Sequence, residues 1–379
     1  MNGMHQRGVG RANESRQRMI RAWVILLGII LAAVLIFSGL RYVGGRTAAT
    51  ATQIPCLASQ RVTPFGEYVL YYDGVSIHCL TDMGAVRWSF QIGGGADFAV
   101  GGRTLAAWVG DQLYLVDYSG RTTYKDTMPA EVQFARVGDK YAAVVVGEDT
   151  HPTLLVKDLQ GIQVDEETDA FDGMMMLDVG FYGDQGQYMW TTVLDVYGTA
   201  ANTILNTFEV GRMNTGETSL GEAITYRILY ENKKLRVIST RQMRSFNYQG
   251  IENTADTMLV YGWHLMDYEI PRNGPAMMLF APTSQSTSGY QISEMRLLSG
   301  DTDRRYTLPS VCAGGTVYKQ ALYAFSSQYI YRARVNDQRF TATVMPISGR
   351  EVTDYLGQME NGKVLLACGE EVYVVTLPT

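Results

Sequence analysis

The chain is poor in the residues from which catalytic and metal centres are usually built. Its 379 residues include 4 histidines and 4 cysteines, and only 18% are charged. No cysteines fall in C-x-x-C or C-x-x-C-H spacing, which removes zinc ribbons, thioredoxin-like redox chemistry and covalent haem attachment. G-x-S-x-G, P-loop and D-x-[DN]-x-[DN]-G sequences are absent too, so no nucleophile elbow, phosphate cradle or EF-hand loop is encoded. Basic residues are outnumbered by acids, 32 to 38, and unevenly placed. Residues 1–21 carry Arg7, Arg11, Arg16, Arg18 and Arg21 against Glu14, a net of +4, which leaves −10 on the rest. A body this acidic lacks the cations that displace counterions from a phosphate backbone, so nucleic-acid binding is set aside.

One long hydrophobic run is present. Ala22 to Leu40 is 19 residues without a charge, about 28 Å as a helix and close to the hydrocarbon thickness of a bilayer. Trp23 and Tyr42 stand where interfacial aromatics anchor a span, and five arginines precede it against Arg41 and Arg46 after it. The positive-inside rule then places the N-terminus in the cytoplasm. The expected organisation is a basic tail (1–21), a transmembrane helix (22–40, bounded by Ala22, Trp23, Leu40 and Tyr42), a tether (41–57) and an extracytoplasmic domain (58–379). That makes the chain a single-pass protein of the cytoplasmic membrane. A cleaved signal peptide competes, with Ala49-Thr50-Ala51 as its A-x-A site. Cys56, Cys79, Cys312 and Cys368 all follow the span. Two disulfides in an exported domain and four buried thiols in strands both fit them.

Beyond residue 58 short apolar, β-branched and aromatic runs alternate with Gly, Asp, Asn and Ser, and amphipathic helices are hard to find. One unit recurs: strand, tight turn, strand, then an acidic Gly turn. Its clearest copies end in Asp82-Met83-Gly84, Asp117-Tyr118-Ser119-Gly120 and Asp158-Leu159-Gln160-Gly161. The intervals between these glycines are 36 and 41 residues, which suits four-stranded propeller blades. Degenerate copies surround Asn232 and Ser326 and close the chain, while Asp184–Asn206 and Pro282–Gly289 read as inserted loops. The expected fold is all-β, a single β-propeller of about seven four-stranded blades after one N-terminal transmembrane helix. Its last blade is completed by a strand starting near Arg61.

The unit, with Trp88 after Gly84, resembles the repeats of quinoprotein-like (PQQ-like) propellers, whose blades often carry Gly followed by Trp. Only Trp88 occupies the tryptophan position; Tyr124 and Val164 lie at comparable places. The layout of basic tail, span and acidic propeller also resembles a family of membrane-anchored propeller proteins from Gram-positive bacteria. A quinone-cofactor dehydrogenase of the first group would imply vicinal cysteines, which this chain lacks.

No constellation marks a catalytic, cofactor or metal site, and no cofactor is expected. His78 reads as a blade-face histidine, and His264, near Asp267 and Glu269, as part of a half-exposed strand. Asp165-Glu166-Glu167-Thr168-Asp169 with Asp172 reads as a solvated acidic loop rather than a calcium site. Met174-Met175-Met176 and Met277-Met278 read as gap-filling core. The functional expectation is a non-catalytic scaffold that binds an envelope protein. The alternative is an envelope carbohydrate hydrolase or lyase with its site in the propeller funnel.

Overall fold

A computed structural model describes residues 48–379 except 284–290, and residues 213–215 by backbone only. The basic tail, the apolar segment with Ala22, Trp23, Leu40 and Tyr42, and the start of the tether lie outside the described residues. Among the described residues no helix is long and apolar enough to cross a membrane. Their only helical pieces are two three-residue 3-10 turns, Asp169–Phe171 and Thr254–Asp256.

Residues 49–377 fold as one unit of eight four-stranded antiparallel sheets. In blades 1 to 7 the four strands follow chain order from the inner to the outer edge, over 63–91, 97–127, 132–167, 174–221, 225–259, 263–312 and 314–344. Blade 8 takes three strands from the C-terminus (Asp354–Gln358, Val364–Cys368, Glu371–Thr376) and its outermost strand, Thr50–Leu57, from the N-terminal end. The ring therefore has eight blades, not about seven. Successive inner strands from Thr63 to Asp354 begin 34 to 51 residues apart, about 42 on average, which is shorter than the 45 or so assumed from the general range. Its closing strand pairs Thr50 with Thr376 through Leu57 with Glu371. The ring thus begins at Thr50, within the expected tether, and the strand after Arg61 is instead the inner strand of blade 1, Thr63–Phe65.

The core is not one mass but eight apolar seams, one between each neighbouring pair of blades. In blade 3, Ala142, Val144 and Val146 pack toward blade 2, whereas Ala143 and Val145 pack toward blade 4. A strand covered on both faces has no polar side, so Tyr141–Glu148 reads as the continuous run AAVVV. The last seam joins Ile54, Cys56 and Val374 of blade 8 to Val69 and Leu80 of blade 1, and closure removes two exposed sheet edges.

Local chemistry sets the turns. Asp117 Oδ1 accepts from the N–H groups of Ser119 and Arg121 (2.9 and 3.0 Å), and Asp158 Oδ1 from Gln160 and Ile162 (2.9 and 2.8 Å). Asn247 holds the equivalent turn in blade 5 through Gln249 and Ile251. In blade 1 that position belongs to Thr81, whose Oγ1 accepts from Met83 and Ala85. Asp82, one residue on, instead pairs with Lys363 of blade 8 at 2.5 Å. The turn glycines 84, 120 and 161 all have positive φ, and two of them serve as docking points. The Trp88 ring of blade 1 lies against Gly120 of blade 2, where a Cβ would come within 2.5 Å of it, and its indole N–H donates to the Tyr118 carbonyl at 3.3 Å. Tyr124 of blade 2 repeats the contact on Gly161 of blade 3. In the third copy the aromatic is missing, and Gly211 faces only the Val164 carbonyl at 3.5 Å.

The segment expected as a loop over Asp184–Asn206 holds the strand Tyr188–Asp195 and the start of Asn202–Glu209. It looked polar because Thr191, Thr192, Thr203 and Asn206 are buried there. Pro282 ends a strand of blade 6, and 284–290 lie outside the described residues.

Gly110 and Gly120 separate backbone strain from lost docking. Gly110 has φ +56 and open space around it; Gly120 has φ +87 and the Trp88 ring. Gly110→Ala is expected to cost about 1 kcal/mol, and Gly120→Ala about 3 kcal/mol because the ring is displaced as well. Urea unfolding of the two variants measures the difference.

Candidate functional site

Strand order divides the ring into two faces. Turns between second and third strands, together with the blade-to-blade connections, form the upper face; the remaining turns form the lower face. Thr50 and Thr376 pair at the lower ends of their strands, so the chain enters and leaves the ring on the lower side. Among the described residues, two cavities open on the upper side, both at blades 6 to 8.

The inner strands line the central channel, and their inner edges have no neighbouring strand to accept their N–H groups. Alternate blades solve this in one way, with an aspartate that folds back onto the next residue's N–H. Asp97 accepts from Phe98 in blade 2 (2.7 Å), Asp178 from Val179 in blade 4 (2.9 Å) and Asp354 from Tyr355 in blade 8 (2.8 Å). Asp267 of blade 6 accepts from Tyr268. The blades between them supply cations. Arg61, just before blade 1, pairs with Asp97, and Arg136 of blade 3 pairs with Asp178 at 2.8 Å. Blade 5 contributes Arg227, whose positive charge adds to the burial that pushes the His264 imidazole below its ordinary range.

Blade 7 breaks the pattern, because its inner strand, Gly314–Tyr318, opens with Gly314, Gly315 and Thr316. Asp267, pointing that way, is half-buried and held by the Thr316 hydroxyl, the Val317 N–H (3.3 Å) and the Tyr355 hydroxyl (3.3 Å). Burial dominates these donors and pushes its carboxyl up to about 6. The Tyr355 ring stacks on Phe325 with centroids 5.7 Å apart.

Directly beside this network lies a cavity of about 390 Å³, lined by His264, Leu265 and Met266 of blade 6, Ala313 and Gly314 of blade 7, and Asp354 and Tyr355 of blade 8, with Pro282 at its rim. A neighbouring cavity of about 550 Å³ is rich in hydroxyl and amide groups, among them Ser310, Ser326, Gln328 and Tyr329, and carries Glu351. Among the described residues no lysine or arginine lines either one.

Other residues singled out from the sequence lie elsewhere. His78 links Asp73 Oδ2 (Nε2, 2.7 Å) to Ser89 Oγ (Nδ1, 2.7 Å), and this bond is the chief reason the Asp73 carboxyl is held down at about 2. The three have the composition of a nucleophile relay, but they sit on the outer strands of blade 1, away from both cavities, and pin a turn to the sheet. Among the described histidines, His264 is the one that lines either cavity; its ring stacks on Tyr226 at 4.4 Å. Asp165 receives the Gly211 N–H at 3.1 Å, and among the described residues no group of His, Cys, Asp and Glu is arranged to hold a metal ion. Met277 and Met278 are core. The disulfide alternative is not formed: Cys56, Cys79, Cys312 and Cys368 are free thiols, each buried. Burial pushes the first three up to about 12 and Cys368 up to about 11.

No protein-family model matches the chain, and no curated protein matches it. Solved structures do. The crystal structure of BamB from Moraxella catarrhalis aligns with a TM-score of 0.50 at 10% identity, covering 88% of this chain and 98% of that one. The crystal structure of Saccharomyces cerevisiae Sqt1 aligns with a TM-score of 0.55 at 9% identity, covering 88% of this chain and 99% of that one. At such identities the likeness defines the fold, a β-propeller, and nothing finer.

Asp267 makes the site's protonation testable. Its folded pKa is raised above the unfolded value, so its contribution to stability is full below about pH 4 and is lost as pH rises through about 6. Asp267→Asn should therefore gain about 2 kcal/mol on the wild type between pH 4 and pH 7. Denaturant titrations at both pH values check it.

Proposed function

We propose that the protein is a non-catalytic binding scaffold of the cell envelope, held by residues 22–40 with its N-terminus in the cytoplasm and its propeller outside. In layout it follows the Gram-positive membrane-anchored propellers it resembles. The observation that carries this reading is the state of the channel carboxylates. Two are bound to arginines and a third is enclosed by Thr316, Val317 and Tyr355. One aspartate, Asp354, lines one cavity and one glutamate, Glu351, the other. Glycoside hydrolysis by the usual route needs two carboxylates flanking one bond, whereas recognition needs a concave, mixed surface with a few placed polar groups. Exposed apolar side chains support the same face. Ile224, Leu259 and Tyr261 of the blade 5 connections and Val311 and Tyr329 near the cavities all stand on the upper side, opposite to where the chain enters.

The raised carboxyl of Asp267 favours the second reading, an envelope carbohydrate hydrolase or lyase with Asp267 as its acid.

Crosslinked capture of the full chain from its native membrane, beside a control of residues 1–49 that stops before the closing strand, separates the two. A scaffold yields a discrete partner that the control does not retain. Absence of any partner, together with turnover of envelope glycans that Asp267→Asn abolishes, establishes the enzyme instead.

A further inference from the structure

We propose that the 390 Å³ cavity at blades 6 to 8 receives an arginine side chain of the protein partner, with Asp354 as its carboxylate. The inference rests on the binding reading above and names the chemistry that the partner presents.

The ring itself supplies the comparison. Four channel aspartates share one backbone role, each accepting the N–H of its successor, and one of them, Asp267, is satisfied by the neutral donors Thr316, Val317 and Tyr355. Asp97 and Asp178 each also hold an arginine from the preceding blade or its lead-in. Asp354 has the same geometry, and the blade before it offers Gly314 and Gly315 at the start of its inner strand. Gly314 admits no larger residue, since a Cβ there would come within 2.7 Å of the Tyr355 Cβ. Among the described residues Asp354 forms no ion pair, and its carboxylate accepts the Tyr355 N–H. The described cavity walls are without a cation, and the sequence of residues 284–290, SQSTSGY, is without charge.

A half-buried carboxylate beside an open cavity, with neither the arginine of Asp97 and Asp178 nor the hydroxyl donors of Asp267, lacks the partner that each of its counterparts has. Burial accordingly pushes the Asp354 carboxyl above its ordinary range. The remaining walls suit a guanidinium on an aliphatic stem: Leu265, Met266, Ala281 and Pro282 offer apolar surface, and Tyr355 an aromatic ring fixed by Phe325. Arginine is favoured over lysine because the same aspartate position is satisfied by arginine twice elsewhere in the ring, and a planar fork matches a carboxylate held in place by a backbone bond. The net charge of −10 on the chain after residue 21 would steer such a partner inward.

The test uses the full chain in detergent micelles and short peptides of random flanks around a central arginine, against the same peptides with citrulline. Retention of the arginine set about tenfold or more over the citrulline set is expected, the scale of a charge-assisted hydrogen bond. Asp354→Asn keeps the acceptor for Tyr355 and removes the charge; Ala313→Arg places a guanidinium in the cavity from within. Both should abolish the preference while their unfolding transitions remain cooperative. Equal retention of both peptide sets, or an arginine preference that survives Asp354→Asn as plain attraction to an acidic surface would, overturns the proposal. A native partner captured equally well by Asp354→Asn refutes the cavity assignment and leaves the scaffold standing. Arginine selection with no partner ever captured refutes the scaffold and leaves the cavity.

Discussion

A ring of sheets has one weak joint, the place where its two chain ends must meet. Here Thr50–Leu57 lies along Glu371–Thr376, so the blade that closes the circle is built from residues more than 300 positions apart. That pairing costs loop-closure entropy, which is recovered by the seam of Ile54, Cys56, Val374, Val69 and Leu80 and by the loss of two free edges. Every other seam depends on it, because each blade buries one face against each neighbour and no blade has a core of its own.

The channel is organised by a second constraint, the unpaired N–H groups of the inner strands. Aspartates in alternate blades satisfy those groups, and having been placed there they need counter-charges. Arg61 and Arg136 meet that need for two of them, and hydroxyl donors from Thr316 and Tyr355 hold a third. Blade 7, obliged to carry glycine where blade 8 presses close, provides none for Asp354. The cavity and its free carboxylate thus arise from the same local departure in an otherwise regular ring. The neighbouring, hydroxyl-rich cavity lies on the same upper side at blades 6 to 8.

What was legible in the sequence is what local bonding decides. Asp117 with Gly120 and Asp158 with Gly161 are turns whose hydrogen bonds close within four residues, so their spacing announced the blade unit and the all-β class. The run AAVVV announced strands covered on both faces. The closing strand was hidden because TATQIPCL shows little apolar alternation and its partner is at the far end of the chain. Blade 4 was hidden by buried threonines that read as a polar loop, and blade 6 by the absence of the Asp–Gly turn. The channel aspartates were hidden for a similar reason: 97, 178, 267 and 354 lie 81 to 89 residues apart, a two-blade period over which no motif carries. The Thr81-for-aspartate substitution shifted the reading of the first turn to Asp82, whose work is an ion pair with Lys363.

Binding through the upper face is the proposed action of the protein. A photo-crosslinking residue can be placed at exposed Gln328, beside the cavities, or at exposed Ile162, on a lower turn, in the full chain in its native membrane. A discrete protein adduct from position 328 and none from 162 is the predicted result. Adducts from 162 with none from 328 would contradict it.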